Sequence, residues 1–498
     1  MLPMVELTIF ALGILLIDLM IPREWKWLNA VGAFVGVLMS AICVWRIQDM
    51  LPARSFGFFG ALLVDRFALY FWYLFLVSAA VAILMSARYL DIEDEHHGEY
   101  YALLLLSVVG MMCMAAGIDI VLLFIGLELM AISIYVLVGF LRRDRRSNEA
   151  ALKYLLLGAF SSGIFAYGLS LLYGLSGSTN LLVTAPGRPS IVSRVSTLDP
   201  HNPVLIIALL ATTVGLLFKI AAVPFHQWAP DAYEGAPTSI TGFMSVAVKA
   251  AAWALLLRIL VYGLFPLRSV YTPIIVFVAI ATMTGGNLAA LTQTNTKRLL
   301  AYSSIAHVGY MLLALVAMGT SPFNSPGFVD GFKGILVYLL VYTFMNLGVF
   351  AVITSLRQRN VIGDELDDLA GLYSRAPVEA VLMLLFLLSL AGIPPAAGFL
   401  GKYYIFLSLI ESGHYWLASL AVLYALFGLY YYLRIANAMF MREATETERL
   451  PISLGMRVAV GVTALATIVI GVFPEPFIRT VNWSLGIAQA PHVAAMVR

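Results

Sequence analysis

The chain has 498 residues, 61% of them hydrophobic and 12% charged, with a formal net charge of +2 and a mean hydropathy of +0.92. A soluble globular domain is about 25% charged, so this composition excludes one and describes an integral membrane protein. The near-zero net charge argues against nucleic acid as a partner. The two cysteines, Cys43 and Cys113, both in apolar runs, leave no disulfide framework, zinc site or iron–sulfur cluster.

A membrane span needs about 20 mostly apolar residues. Such runs are predicted at 3–21, 27–48, 63–87, 101–117, 119–141, 152–176, 203–223, 239–264, 270–292, 299–319, 332–356, 378–409, 415–441 and 455–473. Helices satisfy their own backbone groups in lipid, whereas open sheets do not. The expected fold class is therefore all-α, a polytopic membrane protein of about fourteen transmembrane helices. The first run lacks a basic leader and an A-x-A cleavage site, so it reads as a retained span. The stretch Asp91–Glu99 (DIEDEHHGE) reads as a solvated acidic turn, with a subunit contact or a metal site as the sharper alternative.

Orientation follows from the basic residues. The densest cluster, Arg142, Arg143, Arg145, Arg146 and Lys153, belongs on the cytoplasmic side. Alternation then adds Arg23, Lys26, Lys297, Arg298, Arg357, Arg359, Arg442 and Arg449 to that side, and places both termini outside. The opposite side holds fewer basic residues: Arg46, Arg54, Arg188, Arg194 and Arg268. The longest polar stretch, 177–202, is an external loop, so 1–498 forms a single membrane domain.

Two runs are interrupted. The run 203–223 ends in Ala222-Val223-Pro224-Phe225-His226, and 378–409 contains Gly392-Ile393-Pro394-Pro395. Proline removes a backbone donor and clashes with the preceding turn. These are the seventh and twelfth runs, five apart. That spacing fits two inverted five-helix repeats, 98–264 and 270–441, of the kind that place a transport site at broken helices.

Four charges sit inside the predicted spans: Glu128, Lys219, Lys249 and Lys402. Each costs roughly 2.5–3.5 kcal/mol at the bilayer centre, and nothing in a helix bundle requires them. Thr238, Thr241, Ser245 and Lys249 recur on one helical face, which predicts a polar stripe facing protein or water. Lys219 shares a face with Thr212 and Gly215, about one turn before Pro224, where the helix should loosen and expose carbonyls. Glu128 has no partner nearby in sequence and would be neutral if alone; Lys219 is the candidate that keeps it ionised. Lys402 follows the double-proline break. For Lys219 and Lys402 a side chain reaching the headgroups is the plainer alternative. Lys153, His226 and His307 are secondary proton-path candidates. Lys153 equally fits snorkelling, and each histidine equally fits a hydrogen-bonded core residue. His307 shares a face with Ser303 and Tyr310. Tyr430, Tyr431 and Tyr432 beside Arg434 read as an interfacial belt.

Lysine suits proton transport. Moving one charge across 100 mV takes roughly 2.3 kcal/mol, so against about 200 mV a carrier must change its proton affinity by roughly a thousandfold. Burial weakens lysine's hold on its proton and a nearby carboxylate restores it, over a range that covers this change. No G-x-G-x-x-G fingerprint, P-loop, cysteine cluster or haem-ligand pair is present, so the chain carries no nucleotide or redox site of its own.

The charged positions lie in stretches that resemble a known family. Phe218–Ala252 carries Pro224-Phe225-His226, Trp228 and Pro230-Asp231, followed by Tyr233-Glu234-Gly235-Ala236-Pro237; Thr294–Met311 and Gly392–Phe406 also match. The chain resembles the antiporter-like membrane subunits of respiratory complex I, the bacterial-type NADH:quinone oxidoreductase, over nearly its whole length. The Tyr-Glu-Gly-Ala-Pro form is similar to the N-type branch. The resemblance implies about fourteen helices with the seventh and twelfth broken, and a hydrated charge axis at mid-membrane. It implies that Glu128 pairs with Lys219, that Lys249 is the central lysine, and that Lys402 gates the far half-channel. It further implies no cofactor in this chain, with FMN, iron–sulfur clusters and quinone in partner subunits. The partners are then other membrane and peripheral subunits of the complex and the lipid bilayer, with no nucleic acid, and the location is the bacterial plasma (inner) membrane. A subunit of a multisubunit cation/proton antiporter would use the same charges, and is the alternative. A non-transporting scaffold fits the broken repeats poorly. Ferredoxin or a deazaflavin in place of NADH stays open as electron donor.

Overall fold

The computed structural model describes residues 1–50, 54–183, 189–357, 363–443 and 452–487; Arg188, Arg359 and Arg449 lie outside the described residues. The chain begins with α1 (Leu2–Asp18) and α2 (Trp27–Met50), then a hairpin of β1 (Arg54–Gly57) and β2 (Leu62–Asp65). There follow α3 (Arg66–Glu93), α4 (Gly98–Ala116), α5 (Ile120–Val138), α6 (Arg145–Ser176), α7 (Pro203–Lys219), α8 (Trp228–Gly235) and α9 (Thr238–Gly263). The remainder is α10 (Arg268–Leu291), α11 (Thr296–Thr320), α12 (Pro326–Ser355), α13 (Pro377–Ala391), α14 (Ala397–Glu411), α15 (Tyr415–Met441), α16 (Leu454–Val472) and α17 (Glu475–Ser484).

Local chemistry sets these boundaries. Asp119, Asp144 and Asn295 cap α5, α6 and α11, each accepting from backbone N–H groups that the first turn leaves free. Pro203 and Pro377 open α7 and α13, where a missing N–H costs nothing. Among the described residues, 11 helices are long and apolar enough to cross a membrane; Pro203–Lys219 and Pro377–Ala391 are shorter apolar ones. Both expected interruptions are present. The α7 helix stops at Lys219, with Ile220–Gln227 irregular before α8, and α13 stops at Ala391, with Gly392 at φ +85° before α14.

The span expected at 63–87 starts at Arg66, because Leu62–Asp65 pairs antiparallel with Arg54–Gly57. A short apolar strand cannot be told from a first helical turn by hydropathy. The amphipathic α17 was not expected either; it packs on α3 and α12.

The centre of the bundle is α9, in which every residue from 238 to 263 is buried. It carries two π-helical stretches, Met244–Val248 and Leu257–Gly263. A π-turn adds one residue per turn and so breaks the face periodicity. The expected polar stripe, Thr238, Thr241, Ser245 and Lys249, is buried and faces protein. Thr241 donates to Tyr233 O at 2.9 Å, and Ser245 accepts from Asn346 Nδ2 at 2.6 Å. Leu16, Phe160, Leu426 and Leu465 stand exposed on α1, α6, α15 and α16, forming the apolar outer surface.

Arg258, in the second π-stretch, makes an ion pair absent from the sequence-based expectations. Its Nη2 meets Asp65 Oδ1 at 2.7 Å with both side chains at 0% exposure, and its Nε donates to Ala115 O at 2.9 Å. The Asp65 carboxylate thus caps α3 through Ala68 N and ties α9 to α3, while Arg258 Nε ties α9 to α4. Arg258→Leu, which strands a buried carboxylate, is expected to cost about 3–5 kcal/mol. Thermal unfolding in detergent measures it, and Arg258→Met combined with Asp65→Asn should recover most of the loss. An unchanged midpoint in Arg258→Leu would show that the pair contributes nothing.

Candidate proton-transfer site

The site is built where helices end or change pitch. Lys219 is the last residue of α7, where backbone carbonyls lose their intrahelical donors. Trp228 Nε1 takes up one of them, Phe218 O, at 2.9 Å. Trp228 stacks on Tyr154 (4.3 Å between centroids), and Tyr154 packs edge-on to Tyr135 (4.6 Å). This aromatic column fixes the break and presents the Tyr135 hydroxyl, which accepts from Lys219 Nζ at 3.2 Å. Gly158 makes room for that phenol: a Cβ there would lie 2.0 Å from the Tyr135 oxygen.

Glu128 lies seven residues before Tyr135 on the same face of α5. Glu128 and Lys219 form no ion pair, and Glu128 Oε1 is buried without a hydrogen-bond partner. The direct partner of Lys219 is therefore the tyrosine, not the expected carboxylate. Ser161, Ser162, Thr212 and Thr213, on α6 and α7, also hold buried hydroxyls without partners. A buried polar group left unpaired costs about 1–3 kcal/mol, so this interface is polar beyond what packing needs.

Lys249 sits one residue past the first π-stretch of α9. Its Nζ donates to Ser304 O of α11 at 3.0 Å and to Ser304 Oγ, and lies 5.9 Å from the Tyr233 ring centre. Three residues along α11, His307 is bonded to Tyr338 of α12 at 2.5 Å and to Tyr432 of α15 at 2.9 Å. Lys402, on α14, reaches across its break to the C-terminus of α13, donating to Ala391 O at 2.6 Å and Leu390 O at 3.2 Å. Those free carbonyls carry the negative end of the helix dipole, which favours an ammonium. Carbonyls exposed by a break were expected for Lys219; it is Lys402 that uses them.

Lys219, Lys249 and Lys402 are 3%, 3% and 6% exposed. None of the three is ion-paired among the described residues; each ammonium rests on neutral oxygens. Burial of this degree overturns the headgroup-reaching alternative for Lys219 and Lys402.

The secondary candidates divide. His307, three residues after the Ser304 that holds Lys249, is buried and bonded to phenols of α12 and α15. His226 stays in the break after α7, half-buried, with Nδ1 unpartnered and no hydrogen bond to the other candidates. Lys153 leaves the site altogether. It is half-exposed and pairs with Glu149 at 2.8 Å and Asp231 at 3.0 Å, in a cluster completed by Arg298 on Asp231 and Glu234. Burial works against ionisation of Asp231, but the hydrogen bonds from Lys153 and Arg298 outweigh it and hold its carboxyl below the usual value. Behind this cluster Lys297, read from sequence as a loop residue, is buried, with Nζ 2.9 Å from Ala236 O and 3.9 Å from Asp364.

The tyrosine belt is corrected. Tyr430 is exposed, but Tyr431 and Tyr432 turn inward, to Asn287 at 3.3 Å and to His307. Three consecutive aromatics on a helix cannot share one face. In the acidic turn His96 bonds Asp91 at 2.8 Å and Tyr101 at 3.1 Å, and His97 bonds Glu95 at 3.2 Å. Among the described residues no three histidine, cysteine or acidic side chains gather as a metal site.

Comparison with known proteins places this geometry. The family model described as NADH:quinone oxidoreductase/Mrp antiporter, TM, matches residues 117–428. The chain is 64% identical to NADH-quinone oxidoreductase subunit N 1 of Koribacter versatilis, covering 100% of this chain and 97% of the relative. Among solved structures, a chain of respiratory complex I from Thermus thermophilus with bound aureothin superposes with a TM-score of 0.79 at 31% identity, over 96% of this chain and 98% of that one. A chain of the Mrp complex from Dietzia sp. superposes at 0.80 and 21% identity, over the full length of both, which shows a shared fold.

Asp231 gives a pH test. Because its carboxyl is held below 3.8, its ion pairs stabilise the fold fully above that value and are lost as pH falls through the lowered one. Asp231→Asn should therefore lower the thermal midpoint equally at about pH 7 and about pH 5, with the gap to the parent closing only below about pH 4. A gap that closes above pH 5 would contradict the assignment.

Proposed function

Because the chain belongs to the NADH:quinone oxidoreductase/Mrp antiporter transmembrane family, and within it to subunit N of NADH-quinone oxidoreductase, we propose that it moves protons through a mid-membrane relay of Glu128, Lys219, Lys249, His307 and Lys402. One observation carries this reading: three lysines are buried near the breaks and π-turns with no counter-ion in contact among the described residues. A structural buried cation is paired, as Arg258 is with Asp65. An unpaired one is costly, and its cost is accounted for if it must gain and lose a proton.

In this relay Glu128 sets the charge state of Lys219, which the Tyr135 hydroxyl holds. Lys249 is the central carrier, held on Ser304. His307 links it to Lys402, which rests on the carbonyls at the end of α13. The relay moves protons when electron transfer elsewhere changes the charge at one end, since each ammonium's proton affinity depends on its neighbour's ionisation. FMN, iron–sulfur clusters and quinone belong to partner subunits, and this chain contacts other membrane and peripheral subunits of the complex. The halves 98–264 and 270–441 act as two inverted repeats, each with one broken helix. The loop with Arg142 to Arg146 faces the cytoplasm, both termini face outward, and the chain resides in the bacterial inner membrane. A cation/proton antiporter subunit shares the fold at 21% identity; the far higher identity to subunit N favours the oxidoreductase.

In purified complex reconstituted into vesicles, Lys219→Ala and Glu128→Gln should each reduce proton transfer per NADH oxidised while subunit content stays normal. Wild-type proton transfer per NADH in Lys219→Ala would overturn the proposed role.

A further inference from the structure

Both ring nitrogens of His307 are occupied by phenols from other helices. Nδ1 is 2.5 Å from the Tyr338 oxygen and Nε2 is 2.9 Å from the Tyr432 oxygen. The Tyr432 hydroxyl also bonds Ser303, one turn before His307 on α11. A neutral imidazole offers one N–H donor and one lone pair. With a hydroxyl at each nitrogen, one phenol donates to the ring and the other accepts from it, and the ring cannot turn without breaking both bonds.

The two phenols lead to different lysines. Ser303 adjoins Ser304, whose oxygens hold Lys249. Tyr338 lies against Gly401, the residue before Lys402, so closely that a Cβ at position 401 would stand 2.7 Å from its Cδ2. Glycine at 401 lets α14 approach the Tyr338 ring one residue before Lys402, whose ammonium lies 5.4 Å from the centre of the Tyr310 ring.

We propose that Tyr432 and Tyr338 are the two proton-carrying arms of His307, the first serving the Lys249 side and the second the Lys402 side; this rests on the relay reading above. A proton arriving at the Tyr432 oxygen releases that hydroxyl's own proton to Nε2. The imidazolium so formed gives up its Nδ1 proton to the Tyr338 oxygen as that hydroxyl passes its proton on. One proton enters, one leaves, both tyrosines end neutral, and no electron moves. The ring is left protonated on Nε2 instead of Nδ1, and a second proton follows only after both hydroxyl bonds break and the starting tautomer is restored. The clamp is thus a one-proton-at-a-time element.

The test uses assembled complex in vesicles, with proton transfer per NADH compared among Tyr432→Phe, Tyr70→Phe and Lys402→Ala. Tyr70, on α3, is as buried as Tyr432, but its hydroxyl donates to Leu336 O at 2.8 Å, so it controls for loss of a buried hydroxyl alone. Tyr432→Phe should lower proton transfer about tenfold, the scale of one lost hydrogen bond to a charged group. It should also raise the deuterium solvent isotope effect on that transfer, while Tyr70→Phe stays at wild type. Equal losses in the two tyrosine variants would mean packing and would overturn the clamp. Wild-type transfer in Tyr432→Phe with loss in Lys402→Ala would overturn the clamp and leave the relay standing; wild-type transfer in both would overturn the relay too. Tyr338→Phe is measured alongside, so that one variant failing to assemble leaves the other to decide.

Discussion

An ammonium buried without a counter-ion is the constraint on which this structure turns. In a low-dielectric interior such a group loses several kcal/mol of hydration, and three of them lie inside one bundle. The cations divide by how that loss is met. Arg258 meets it with a carboxylate at 2.7 Å and a backbone carbonyl. Arg298 meets it with two carboxylates. Lys219, Lys249 and Lys402 meet it with neutral groups: a phenol, a serine and helix-end carbonyls, with aromatic rings nearby. Neutral oxygens hold an ammonium and also tolerate the free amine, which a tight carboxylate pair does not. Partner chemistry thus separates the cations suited to structure from those suited to proton exchange.

The irregular backbone follows from the same constraint. A carbonyl inside a continuous α-helix already accepts one intrahelical bond, whereas a broken helix end leaves its last carbonyls with none. Ending α13 at Gly392 frees the carbonyls of Leu390 and Ala391, and α14 returns Lys402 to them. Ending α7 at Lys219 leaves Phe218 O for Trp228, which fixes the aromatic column and hence Tyr135. The π-stretch before Lys249 places the lysine at Ser304 while Thr241 and Ser245 find partners on other elements.

Much of the fold was legible because hydropathy and proline report directly on span and break. Both interruptions, and the burial of Lys219, Lys249 and Lys402, followed from the position of charge within apolar runs; Glu128 is only half-buried. The polar partners did not. Tyr432 adjoins Tyr430 and Arg434, and its composition is that of a membrane interface; only the placement of α15 against α11 turns it inward. Tyr135 was within reach of sequence reasoning, seven residues from Glu128 on the same face. Arg258 was not singled out, because Asp65, its partner, is 193 residues away. Lys153 misled for the converse reason: it adjoins an apolar run, but α8 brings Asp231 to it at the surface of the bundle.

The most direct measurement is a cryo-EM map of the assembled complex at a resolution that shows ordered water between Glu128 and Lys402. The relay predicts water density bonded to the unpartnered hydroxyls of Ser161, Ser162, Thr212 and Thr213, bridging Lys219 towards Lys249 and His307. A gap between those side chains filled by apolar packing, with no solvent density, would contradict it.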